Sequence, residues 1–136
     1  MGGLRFMENS SRYISFAGRV LLSLIFVMSG AQKLGAHDAT VQYIASAGMP
    51  MPSLAYIGAL VFELGGGLAL LVGFQARIAA IALSIFTLLA AAYFHNNFAD
   101  QVQMIMFLKN VTIVGGLLQI VAHGAGGLSI DNRGQA

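Results

Sequence analysis

Residues 53–74 read SLAYIGALVFELGGGLALLVGF, an apolar run whose only charge is Glu63. At 1.5 Å per residue a helix of this length spans about 33 Å, enough to cross a hydrocarbon core of about 30 Å. Apolar and polar residues do not alternate along it, so the run reads as a helix and not as a barrel strand. Glu63 sits ten residues in, roughly 15 Å deep by the same rise. An acidic side chain at that depth costs about 2.5–3.5 kcal/mol on insertion scales. It must therefore turn toward other helices and find a cation or hold a proton.

Three further runs have the same character, at about residues 14–34, 76–94 and 104–122. Charged residues make up 9% of the chain and hydrophobic ones 57%. A soluble domain carries about 25% charged residues, so this chain cannot solvate its own exterior and lipid is its natural solvent. The spacing predicts an all-α membrane protein, a four-transmembrane-helix antiparallel bundle. Gly73-Phe74-Gln75-Ala76-Arg77 forms the tight turn between the second and third spans, with Gly73 ending the helix. The longest connection, residues 35–52, predicts a short interfacial helix between the first two spans. His37-Asp38-Ala39-Thr40 caps it, Val41, Ile44 and Ala45 share a face, and Gly48 with Met49-Pro50-Met51-Pro52 ends it.

Arg12, Arg19, the apolar residues 20–28 and Ser29-Gly30-Ala31 have some of the anatomy of a cleavable signal peptide. The basic region is too long for one, and three further apolar runs remain, so the first run reads as a span. Arg5, Arg12, Arg19, Arg77 and Arg133 fall on one side of a four-pass arrangement, while Lys33 and Lys109 fall toward the other. This bias predicts that both termini lie in the cytoplasm. The seven basic residues form no patch, which excludes nucleic acid as a partner. The chain has no cysteine, hence no disulfide, thiol redox motif or thiolate ligand.

Each span carries small or polar residues at alternating spacings of three and four, the pattern of a packing seam in a left-handed bundle. These seams are Arg19, Ser23, Phe26, Gly30, Lys33; then Tyr56, Ala59, Glu63, Gly66, Leu70, Gly73; then Arg77, Ala80, Ser84, Thr87, Ala91, His95; and Lys109, Thr112, Gly116, Gln119, His123. Lys109 is the expected cation for Glu63 and Lys33 the second candidate. Lys33, Glu63, His95, Lys109 and Asn110 would together form a polar cluster in the outer half of the bundle. Such a cluster suits a proton or a carbonyl-bearing ligand such as a quinone. Arg19 and Arg77, at the opposite ends of their helices, are expected to meet lipid phosphates. His95 and His123 lie at opposite ends of the bundle, so neither haem nor metal is expected. Gly65-Gly66-Gly67 lies inside an apolar helix and reads as a close-packing site, not a phosphate loop.

The chain resembles the DoxX family of small bacterial inner-membrane proteins. The features that carry the likeness run from Gly18-Arg19, Gly30 and Lys33-Leu34, through Glu63 with its glycine run, Gly73, Arg77 and His95. They continue through Lys109-Asn110, Gly115-Gly116, Gly124-Ala125-Gly126 and Ser129-Ile130-Asp131. The resemblance implies a four-helix fold in the inner membrane. It also implies a redox-associated role, since some relatives are associated with thiosulfate:quinone oxidoreduction and others with quinones or oxidative stress. Three readings stay open at this point: a quinone-related protein, alone or with a membrane redox partner; a non-enzymatic subunit or scaffold; and a proton or solute carrier, which would work as a homodimer.

Overall fold

The structure of the protein, a computed structural model, describes residues 2–133. Helix α1 spans Gly2–Leu34, α2 His37–Ser46, α3 Pro52–Val72, α4 Ala76–Phe94 and α5 Gln101–His123. Four of these, all but α2, are long and apolar enough to cross a membrane. They form an antiparallel bundle in which α4 packs most extensively on α5 and α1 lies along α3. The predicted short helix between the first two spans is α2, resting on α3 with Ile44 buried. Its cap differs from the expectation: no side chain caps it, and the Thr40 hydroxyl donates back to the Ala36 carbonyl at 2.7 Å.

The ends of two spans differ from the sequence reading. Helix α1 reaches back to Gly2, well before residue 14, over a stretch without proline; none of residues 2–18 is buried. Helix α5 starts at Gln101, because Asp100 caps it by accepting from the Val102 amide at 2.9 Å. Gly73 ends α3 as expected, with φ +72°, and the Phe74 amide donates to the Ala69 carbonyl at 2.8 Å.

In the middle of α3, Val61–Gly66 winds as a π-helix around Glu63. Around this turn one seam position moves, while Tyr56, Ala59, Leu70 and Gly73 are buried as their spacing predicts. Gly67, and not the expected Gly66, is buried below Glu63. A Cβ on Gly67 would stand 3.1 Å from the Phe26 Cβ and 3.3 Å from the Val27 backbone nitrogen, so α1 and α3 touch almost backbone to backbone. Gly30 serves the same contact from α1, since a Cβ there would stand 2.7 Å from the Leu64 side chain. In lipid, where Leu-rich faces gain nothing over acyl chains, this close approach supplies van der Waals attraction.

The packed core lies toward one end of the bundle, around Phe26, Leu70, Ala80, Leu83, Leu117 and Ile120. The chain after α5 closes that end. Ile130 and Asp131 donate backbone amides to the carbonyls of Val72 (3.0 Å) and Gly73 (2.9 Å). The Asp131 carboxylate accepts from the amides of Gln75 (2.7 Å) and Ala76 (2.8 Å), and so caps α4. Arg19 is only 3% exposed; it donates to the carbonyls of Ala125 and, at 2.7 Å, Leu128. The expectation that Arg19 meets lipid phosphate is thus corrected: the returning tail supplies its acceptors instead. Arg77 remains exposed.

Candidate functional site

At the α2 end the bundle is open, and a cavity of about 460 Å³ lies between α1, α2, α3 and α4, with α5 contributing Asn110 and Ile113. This volume falls within the range of small-molecule pockets. The walls are largely apolar and aromatic. Phe62 and Phe86 stack at 5.7 Å with ring planes 10° apart, and Tyr43 and Phe94 at 5.1 Å and 16°. Flat paired rings of this kind suit a planar ligand.

The polar part of the lining is built around Glu63, which is 5% exposed. The π-turn carries it to the α1 side, where Lys33 and Ser29 stand one helical turn apart on one face. Lys33 Nζ lies 2.9 Å from each carboxylate oxygen and donates a well-aligned hydrogen bond to Oε1. It also donates to Ser29 Oγ at 2.8 Å, and Ser29 Oγ donates to Glu63 Oε1 at 3.2 Å. Oε2 is left buried without an aligned donor. Across the cavity, the Thr87 hydroxyl is buried with no hydrogen-bond partner among the described residues. Asn110 Nδ2 reaches the Thr87 carbonyl at a long 3.4 Å. Tyr56 anchors the end of α1 by donating its hydroxyl to the Lys33 carbonyl at 2.8 Å, and His37 packs edge-on against the Tyr56 ring at 4.8 Å.

The structure gathers Lys33, Glu63, His95 and Asn110 of the predicted cluster around this cavity. His95 sits at the end of α4 on its rim, half-buried. Lys109 is not among them. It is exposed on the outer face of α5, together with Thr112 and Gln119, so the expected Glu63–Lys109 pair is replaced by Glu63–Lys33. The reason is the rotation of α5. Its buried residues are Val114, Leu117 and Ile120, one position out of step with the polar seam chosen from the sequence. One residue is about 100° of rotation at 3.6 residues per turn, enough to turn Lys109 out and Asn110 in.

Sequence reasoning missed Ser29 and the contribution of α2. Ser29 was legible in principle, standing four residues before Lys33 and so on the same helical face. Thr40, Tyr43 and Ile44 reach the cavity only because α2 folds back over α3, which no local pattern encodes. Thr87 was expected only as a packing residue.

Residues 14–96 match the model of the DoxX family, a stretch that holds α2, α3 and α4 and the spanning part of α1. Inner membrane protein YqjF of Escherichia coli is 42% identical over 83% of this chain and 85% of its own length. Inner membrane protein YphA of the same organism is 37% identical over 92% of this chain and 99% of its own. The ER-derived vesicles protein ERV29 of Saccharomyces cerevisiae is 26% identical over 93% of this chain but 35% of its own length. No solved structure matches the chain. With four membrane-length helices, a family match across most of them and two relatives matched along most of their own length, the chain is an integral membrane protein that belongs to the DoxX family.

Proposed function

We propose that this protein binds the ring of a lipid-soluble, quinone-type ligand in the cavity at the α2 end, as a redox-associated component of the inner membrane. The observation that carries the reading is the pairing of aromatic walls with the buried Glu63 carboxylate, held by Lys33, and a buried Thr87 hydroxyl that has no hydrogen-bond partner among the described residues. Buried ionisable groups inside a membrane domain mark ligand or proton sites more often than packing devices. His95 on the rim and Asn110 on the far wall add groups that can bond a ring oxygen, and Glu63 is placed to exchange a proton with it.

The test is titration of tetramethyl-1,4-benzoquinone, in its oxidised and its reduced form, against the protein in lipid nanodiscs. Mass spectrometry of quinones that co-purify in native lipid accompanies it. Gly58 lines the cavity and a Cβ there meets nothing within 4 Å, so a larger side chain has room to project into it; Gly58→Leu should lower ring affinity at least tenfold. Glu63→Gln should change it as well. Ring binding that survives both substitutions unaltered would remove the reading.

The same pair joins α1 directly to α3, which favours a second reading, a non-enzymatic scaffold in which the ions only set packing. Under that reading each charge reversal alone lowers expression, the Lys33→Glu/Glu63→Lys swap restores it, and no ring binds. For orientation we propose both termini in the cytoplasm. Arg5, Arg12, Arg77 and Arg133 support this, while Arg19 no longer counts because it is consumed by the tail. A C-terminal reporter that reads periplasmic would reverse the assignment.

A further inference from the structure

We infer that the outward face of α5 pairs with the α5 of a second copy of this chain, so that the protein is a homodimer joined along Thr112, Gly115 and Gln119.

Helix α5 is the least buried of the four spans, and its outward side differs in kind from the others. In the membrane band α1, α3 and α4 turn apolar residues outward, among them Leu21 and Met28, Val61 and Leu68, and Ile81 and Ile85. Helix α5 turns out Lys109, Thr112 and Gln119. It has 23 residues, about 34 Å at 1.5 Å per residue, and Thr112 is the middle one. Lys109 lies about 4.5 Å and Gln119 about 10 Å from that middle along the axis, so both stand within a hydrocarbon core about 30 Å thick. Side chains that hydrogen-bond are costly against lipid tails at such depth and are found turned toward protein. In a single copy these turn away from it, so the protein they meet lies outside the bundle.

Spacing gives the geometry of the contact. Ile105, Leu108, Thr112, Gly115, Gln119 and Ala122 follow at steps of three, four, three, four and three, and all six are exposed. That is the seam of a left-handed helix pair. It lies on the side of α5 opposite to Val114, Leu117 and Ile120, which pack into the bundle. A Cβ on Gly115 would meet nothing within 4 Å, so this glycine serves no close contact within one copy. Across an interface it would let two backbones approach.

The chemistry of the seam fits a second copy. Copies inserted the same way round lay their α5 helices parallel, and a two-fold axis sets each seam residue against its own counterpart. The Gln119 amide both donates and accepts, so two of them satisfy each other. The seam carries neither acid nor base, so nothing along it repels a copy of itself. Lys109 flanks it, about 100° around the helix from Leu108, which keeps the two ammonium groups on opposite sides of the pair. The Thr112 hydroxyl donates to the Lys109 carbonyl at 2.6 Å, and its oxygen stays open as an acceptor for the ammonium of the other copy.

The chain has no cysteine, so single cysteines report contacts directly. Thr112→Cys, Gly115→Cys and Gln119→Cys, each oxidised in native membranes, should form disulfide-linked pairs of this chain, while Leu68→Cys and Ile85→Cys on the outward faces of α3 and α4 should not. Energy transfer between labelled copies in liposomes, followed as the lipid is diluted, gives the dimer affinity without any change to α5. Gly115→Ile, which has room in the single copy, should abolish the transfer and leave the far-ultraviolet circular dichroism unchanged. One hydrogen bond between helices in lipid is worth about threefold, so Gln119→Leu, which removes a symmetric pair of them, should weaken the dimer about tenfold. Linking as strong from Leu68→Cys and Ile85→Cys as from α5, or energy transfer untouched by Gly115→Ile, overturns the inference. So does linking of the α5 cysteines to a different protein with none between copies.

Discussion

Replacing Lys33 with Met removes the cation of the buried pair and keeps most of the stem that packs around it. Glu63 would then be left with one donor, the Ser29 hydroxyl at 3.2 Å. Breaking a buried pair from one side costs about 3–5 kcal/mol. The Lys33 side chain is 25% exposed and Glu63 borders a cavity, so the lower end applies, about 3 kcal/mol, or roughly a hundredfold in the folded ratio. The reverse substitution, Glu63→Met, should cost less, about 1 kcal/mol, because Lys33 stands one residue from the end of α1 and its stem can carry the ammonium to the headgroups. Glu63 has no such escape from the middle of α3. Replacing both with Met should recover most of the loss, since an apolar pair of similar volume suits lipid and packing alike. The assay is unfolding by SDS titration from mild-detergent micelles, followed by far-ultraviolet circular dichroism. Equal costs for the two single substitutions, or a double variant weaker than Lys33→Met, would refute the claim that Glu63 is the trapped partner.

In the same unfolding assay Lys109→Met should stay within about 0.5 kcal/mol of the parent, because Lys109 faces outward; a loss as large as that of Lys33→Met would return the ion pair to α5. Gly67→Val drives a branched side chain into Phe26 and Val27 and should cost about 1–3 kcal/mol, while Gly65→Ala, which meets nothing within 4 Å, should be close to neutral. Similar effects at the two glycines would argue against the close α1–α3 contact. Asp131→Ala removes the acceptor for two amides at the start of α4 and should cost about 0.5–2 kcal/mol. It should also speed tryptic cleavage at Arg133; a tail cleaved no faster than the parent's would mean that it is held by other contacts.

The existence of the four spans was legible in the chain itself, because crossing a bilayer needs only length and apolar composition, which are local properties. So was the buried seam of α1, where Arg19, Ser23, Phe26 and Gly30 are buried as their spacing requires. That Glu63 would be buried followed from its depth alone. Tertiary structure decided what Glu63 meets and what surrounds it. The choice of Lys33 over Lys109 turns on the rotation of α5, which its neighbours set, and a one-residue error there moves a side chain through about 100°. In α3 the residue buried below Glu63 is Gly67 where the seam named Gly66, a choice between steps of four and three that the helical period alone leaves open, while Leu70 and Gly73 are buried as expected. Arg19, which by position looked destined for the headgroups, instead bonds carbonyls more than a hundred residues further along the chain. Spans are encoded in runs of adjacent residues; the partners of a buried charge are chosen by how the finished helices turn toward one another.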